Sequence, residues 1–283
     1  MATLRVPEVV PSPTQDCEKL RDAVQGLGTD EKAIIWILGH RNASQRKKIR
    51  ETYQQLYNES LIDRLYSELS GDFRNAVISW TTDPPERDAE LANKALKANK
   101  KGMKQLQVIV EIACASSPNH LQEVRQAYCS LFDCSLEEDI VSAVSQPLRK
   151  ILVAVASSYR YDKELVDMNV ADSEAAKLHE AIKSNKLDQD DMLLILSTRN
   201  FHQLRATFAC YKQSFGNSIE QFSEQFICRT SRVVEMAIWN LFWRVIIKCI
   251  DTPEKHFAEV IGAAIIGFGT DEDSLNQSNS SAS

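Results

Sequence analysis

Ile49-Arg50-Glu51-Thr52-Tyr53-Gln54-Gln55-Leu56-Tyr57, followed four residues later by Leu61, recurs as Val124-Arg125-Gln126-Ala127-Tyr128-Cys129-Ser130-Leu131-Phe132, followed four residues later by Leu136. A third copy keeps Tyr211, Phe215 and Ile219. Each copy spaces its two aromatic rings four residues apart, the interval that stacks side chains on one face of a helix. From Tyr57 to Phe132 is 75 residues and from Phe132 to Phe215 is 83. An apolar helix is predicted ahead of each copy, at Ile34–Leu38, Val108–Ile112 and Met192–Leu196. A recurring multi-helix unit of this length predicts a repeat architecture.

A second echo extends the pattern. Ala23-Val24-Gln25-Gly26-Leu27-Gly28-Thr29-Asp30-Glu31 returns as Ala264-Ile265-Ile266-Gly267-Phe268-Gly269-Thr270-Asp271-Glu272, the opening of a fourth unit. Within the units, Asp30-Glu31 places acidic residues at a helix start, where the helix dipole favours them. Asn42-Ala43-Ser44-Gln45-Arg46 reads as a further turn and start, and Asp83-Pro84-Pro85-Glu86 as a break between units. The repeats predict an N-terminal segment over 1–13, units over 14–82, 83–156 and 157–247, a partial unit over 248–276, and a disordered polar tail over 277–283.

Composition agrees with helices. Nine glycines and 8 prolines in 283 residues fall below the usual share of roughly 12%, and no apolar/polar alternation runs through the chain. No apolar run reaches the roughly 18 residues of a spanning helix. The richest stretch, Val233–Ile250, is broken by Glu235, Asn240, Arg244 and Lys248. Without a basic-then-apolar leader, a cytoplasmic protein is expected. Seven scattered cysteines with no CxxC pair fit reduced thiols better than a disulfide framework or a zinc site. The net charge is −6 with basic residues dispersed, so nucleic acid is not an expected partner. An anionic surface would have to be met through a bridging cation.

Gly26-Leu27-Gly28-Thr29 is where such a cation would sit. Glycines let backbone carbonyls turn towards one point, and calcium accepts carbonyls, a bidentate carboxylate and water. The carbonyls of Val24, Gly26 and Gly28 would line one side, and Glu68, 40 residues beyond Gly28, is the candidate carboxylate. Read singly, the loop is an ordinary turn and Glu68 an ordinary solvated side chain.

The glycine loop, Ser67-Glu68-Leu69 and the ordered repeats resemble the annexin family. Met1–Pro7, Val10–Pro13, His40–Ala43, Glu86–Ala89 and Ser158–Tyr161 are similar to plant annexins in particular, and the likeness spans residues 1 to about 276. The resemblance implies an all-α fold: a four-repeat helical disc, here with an incomplete fourth repeat. It implies Ca2+ sites on the convex face that bridge to acidic phospholipid membrane surfaces, with Val24, Gly26, Gly28 and Glu68 as the first-repeat ligands. Cytoplasmic residence with calcium-dependent peripheral membrane association, and a part in stress responses, follow from it too. Leu27 would either touch the headgroups or pack inward.

Other repeats depart from the motif. The second has Ala98-Asn99-Lys100-Lys101-Gly102-Met103 in place of the glycine loop and Ala143 near the carboxylate position. The third has Ser184-Asn185-Lys186-Leu187-Asp188, with Glu224 or Gln225 near its carboxylate position. Both sites are read as lost; Lys100 and Lys101 either touch lipid phosphates or are simply solvated. Ile265, Gly267 and Gly269 form a half-site, since the matching carboxylate would fall beyond Ser283. A weakened calcium response is therefore expected. The apolar segment His256–Ile266 is expected to leave an exposed face that favours self-association.

Three rival readings are set against this one. His40 matches the histidine tied to peroxidase-like activity in plant annexins, although a lone histidine at a helix end is ordinarily a cap. Cys114 and Cys249 match suspected redox cysteines, or are buried small hydrophobes. A degenerate scaffold binding protein partners is the last; the family's Ile-Arg-Ile actin-associated motif falls at Leu193-Leu194-Ile195, without its arginine. No G-x-x-x-x-G-K-[ST] loop is present, and no conventional enzyme is expected.

Overall fold

The computed structural model describes residues 9–26, 28–98, 103–184, 190–221 and 234–265. Among the described residues the first ten helices fall into two sets of five. The first is α1 (Pro13–Ala23), α2 (Glu31–Leu38), α3 (Ala43–Tyr57), α4 (Leu61–Glu68) and α5 (Gly71–Thr81). The second is α6 (Pro84–Lys97), α7 (Met103–Ala115), α8 (Pro118–Phe132), α9 (Leu136–Ala143) and α10 (Leu148–Ala156). Then come α11 (Met168–Lys183), α12 (Asp190–Thr198), α13 (Phe201–Phe215), α14 (Val234–Asp251) and α15 (Pro253–Ile265).

Local chemistry sets these boundaries. Ser12, Asn42 and Ser135 cap α1, α3 and α9 through reciprocal capping boxes with Gln15, Gln45 and Glu138, satisfying backbone donors the first helical turn leaves open. The third helix of each set has 15 residues and ends on a left-handed residue: Asn58, Asp133 and Gly216, with φ of +49°, +55° and +77°. Asparagine, aspartate and glycine tolerate that region best. The aromatic pairs meet as their spacing predicts: ring centroids lie 4.7 Å apart for Tyr53–Tyr57, 4.8 Å for Tyr128–Phe132 and 5.0 Å for Tyr211–Phe215.

The chain divides into two compact units, residues 1–87 with 261–283, and residues 88–260. In the first, Leu20, Ile34, Ile49, Tyr53, Leu61 and Leu65 form a core among α1–α4. Arg41 crosses it to make a two-pronged ion pair with Asp16, Nε to Oδ2 at 2.7 Å and Nη2 to Oδ1 at 2.8 Å. The second unit has its own continuous core, with Trp243, Phe242, Ile109, Ile151 and Leu178 among its members. Over its described part the last helix is mixed: His256, Phe257 and Ala264 are buried, Val260 and Ile261 half-buried, and Ala258 and Ala263 exposed. His256 donates or accepts one hydrogen bond with Glu111 at 2.8 Å, which the pattern of apolar residues alone could not reveal.

Candidate functional site

The chain between α1 and α2 passes through Gly26 at φ +117° and Gly28 at φ +95°. Those values lie where a Cβ is strained, although nothing stands within 4 Å of the place a Cβ would occupy at either residue. The backbone conformation, not crowding, demands glycine. Asp30 fixes the far end of the loop: its N–H donates to the Ala23 carbonyl at 2.9 Å, and its carboxylate caps α2 by accepting from the Ala33 N–H at 3.0 Å. Leu27 lies outside the described residues.

Glu68 is the last residue of α4, and its carbonyl accepts from the Thr29 hydroxyl at 3.4 Å, tying helix end to loop. Between Glu68 and the loop lies Arg64, one helical turn earlier. Its Nη2 donates to the Val24 carbonyl at 2.9 Å and stands 3.0 Å from Glu68 Oε1. Its Nη1 is 4.0 Å from Glu59 Oε1, and that glutamate is also paired with Arg21. Two of the four oxygens picked out in the sequence thus converge on a single cationic nitrogen. They lie within about 6 Å of each other, against the roughly 5 Å that two oxygens span across a calcium ion. One carboxylate with neutral carbonyls is a hard-oxygen set, which suits calcium and not zinc or copper. Among the described residues no three His, Cys, Asp or Glu side chains gather as metal ligands, so a cation here depends on backbone oxygens.

Sequence reasoning passed over Arg64. Its signal was present: an arginine four residues before Glu68 on one short helix shares its face. In the second set, the position matching Glu68 at the end of an eight-residue helix is Ala143, whose methyl group offers no oxygen. Lys100, Lys101 and Gly102 lie outside the described residues, as do Asn185–Asp188, Glu224 and Gln225. Ile265 closes α15, and Gly267 and Gly269 lie beyond what is described.

The rival residues have structural employment. His40 donates from Nδ1 to the Trp36 carbonyl at 2.8 Å, closing the end of α2, and its ring packs against Trp36 with centroids 4.3 Å apart. Leu193 and Ile195 are buried within α12, with Leu194 exposed between them. Cys114 and Cys249 are both buried. Burial pushes the Cys114 thiol up to about 11 and that of Cys249 well above the ordinary range. Two units of upward shift leave about a hundredfold less thiolate at neutral pH. Alkylation of the native protein at pH 7.5, mapped by mass spectrometry, is therefore expected to label exposed Cys129 while Cys114 and Cys249 react only after denaturation. Equal labelling of all three in the folded protein would refute this assignment.

The Annexin family model matches residues 15–80, 87–155 and 173–222. Annexin D3 of Arabidopsis thaliana is 54% identical over 279 residues, covering 98% of this chain and 85% of that protein. The annexin-like protein RJ4 of Fragaria ananassa is 45% identical over 263 residues, covering 93% and 80%. Among solved structures, annexin III aligns with a TM-score of 0.86 at 30% identity, covering 99% of this chain and 83% of that one. Chicken annexin V in complex with Zn2+ aligns with a TM-score of 0.82 at 29% identity, covering 99% and 84%.

Fold and relatives together define a calcium-dependent, phospholipid-binding helical protein. The chain belongs to the annexin family, and its relatives make it one of the plant type. Annexins bind acidic phospholipid membranes peripherally, with Ca2+ as the bridging ion. No helix among the described residues is long and apolar enough to cross a membrane.

Proposed function

We propose that this annexin engages acidic phospholipid chiefly through its first repeat. The carbonyls of Val24, Gly26 and Gly28 and the carboxylate of Glu68 hold calcium, and a lipid phosphate takes coordination positions that the protein leaves open. Supplied there, the ion joins a protein of net charge −6 to a surface of the same sign. The observation that carries this reading is the convergence of the Val24 carbonyl and the Glu68 carboxylate on one positive group. Repeats over 14–82, 83–156 and 157–247, with a partial one over 248–276, form the scaffold. Ala143 removes the carboxylate from the second repeat, and the third carries no glycine loop. Few sites mean low avidity, so half-maximal binding requires more calcium than in an annexin with several intact sites. The role is attachment, without bond-making chemistry.

Co-sedimentation with phosphatidylserine vesicles across a calcium titration tests the proposal, with phosphatidylcholine vesicles and chelator as controls. Pelleting that needs both calcium and the acidic lipid is expected. Pelleting that survives chelation, or a folded protein that never pellets, would refute it.

A further inference from the structure

At the candidate site a side chain of the protein already stands between two of the assigned oxygens. Arg64 Nη2 makes its two closest polar contacts with Val24 O at 2.9 Å and Glu68 Oε1 at 3.0 Å. These are the oxygens assigned above to calcium, so the inference rests on that reading. Calcium and the guanidinium compete for them: a divalent ion beside a fixed arginine meets like charge at a few ångströms, and bidentate coordination by Glu68 would take the oxygen that Arg64 holds. Arg64 has somewhere to go. Glu59 Oε1 lies 4.0 Å from Nη1, the other terminal nitrogen, so a second carboxylate is already within reach if the guanidinium leaves Glu68. Nε makes no hydrogen bond, so the group is held through its two Nη atoms alone. At the position matching Arg64 in the second set stands Asp139, which accepts from the Tyr128 hydroxyl; that position, in a set already lacking the carboxylate, carries an acid instead of a cation.

We propose that Arg64 is a built-in competitor for the first-repeat site, a tethered cation that calcium must displace and that sets the calcium concentration at which the site fills. It is an affinity-determining residue, not a ligand. Only the fraction of molecules in which Arg64 has left the site can bind the ion, and the apparent dissociation constant rises by the reciprocal of that fraction. With both side chains about one quarter exposed, the ion pair contributes a factor of up to about five. The hydrogen bond to the Val24 carbonyl adds to it. Removing the charge is expected to lower the calcium midpoint by about three- to tenfold.

The sign of that effect separates this role from others. An arginine that touched lipid phosphate, or that merely shaped the loop, would raise the midpoint when replaced. The experiment compares the unaltered chain, Arg64→Gln, Arg64→Lys and Glu68→Gln. Two readouts are used: the calcium midpoint for pelleting with phosphatidylserine vesicles, and the rise in melting temperature produced by calcium chloride without vesicles. Arg64→Gln is expected to shift both to lower calcium by about three- to tenfold, and Arg64→Lys to stay near the unaltered chain because it keeps a tethered positive charge. An unchanged or raised midpoint in a folded Arg64→Gln protein overturns the proposal. If Glu68→Gln weakens the response while Arg64→Gln leaves it unmoved, the site stands and the competitor falls. If Glu68→Gln has no effect either, both fall together.

Discussion

Glu68→Gln is expected to raise the calcium concentration for half-maximal vesicle binding by about tenfold or more while leaving the fold intact. Glutamine keeps the size of the side chain and removes the one formal negative charge among the four assigned oxygens. Losing a charge-assisted interaction costs about 1.5–3 kcal/mol, and calcium depends on its anionic ligand more than a hydrogen-bond donor would. The calcium-free protein should barely notice. Glu68 sits half-buried at the end of α4, and its ion pair with Arg64 is about one quarter exposed, a setting worth roughly 0–1 kcal/mol. Loss of calcium-dependent pelleting with an unchanged melt would therefore locate the working site. An unchanged midpoint would move that role to the Ile265-Gly267-Gly269 segment.

Arg41→Met is expected to have the opposite profile, a large loss of stability with no direct effect on calcium chemistry. Arg41 and Asp16 are almost sealed from solvent, with side chains 4% and 2% exposed. Both carboxylate oxygens of Asp16 accept from Arg41, and Nη1 of Arg41 also donates to the His40 carbonyl at 3.1 Å. Removing the guanidinium strands a buried carboxylate, at a cost of about 3–5 kcal/mol. The expected result is a markedly lower urea midpoint for the first compact unit. Replacing both partners together, Asp16→Leu with Arg41→Met, should recover most of the loss, because paired apolar side chains leave no charge to solvate. A single variant as stable as the parent would show that water reaches Asp16. The matching pair in the second unit, Arg199 with Glu174, has its arginine 47% exposed, so Arg199→Met should cost less.

The legibility of this protein in its sequence follows the range of the interactions involved. Helix starts were readable because caps act over three residues, as at Asn42 with Gln45. The aromatic pairs were readable because rings four apart on a helix meet whatever the rest of the chain does. The segment from His256 was only partly readable. Its apolar run was visible, but the partner of its first residue was not: His256 is held by Glu111, 145 residues earlier. No local pattern reports a contact at that separation.

Sequence by itself determined the helical repeat, the glycines at the loop and the absence of a second carboxylate at Ala143, since each is a property of residue type and short spacing. Only the tertiary structure decided what faces that loop. The angle at which α4 returns to the end of α1 brings residues 40 apart together and chooses which of its charged side chains arrives between them. Four residues separate Arg64 from Glu68, so packing that delivers the carboxylate to the Val24 carbonyl delivers the competing cation with it.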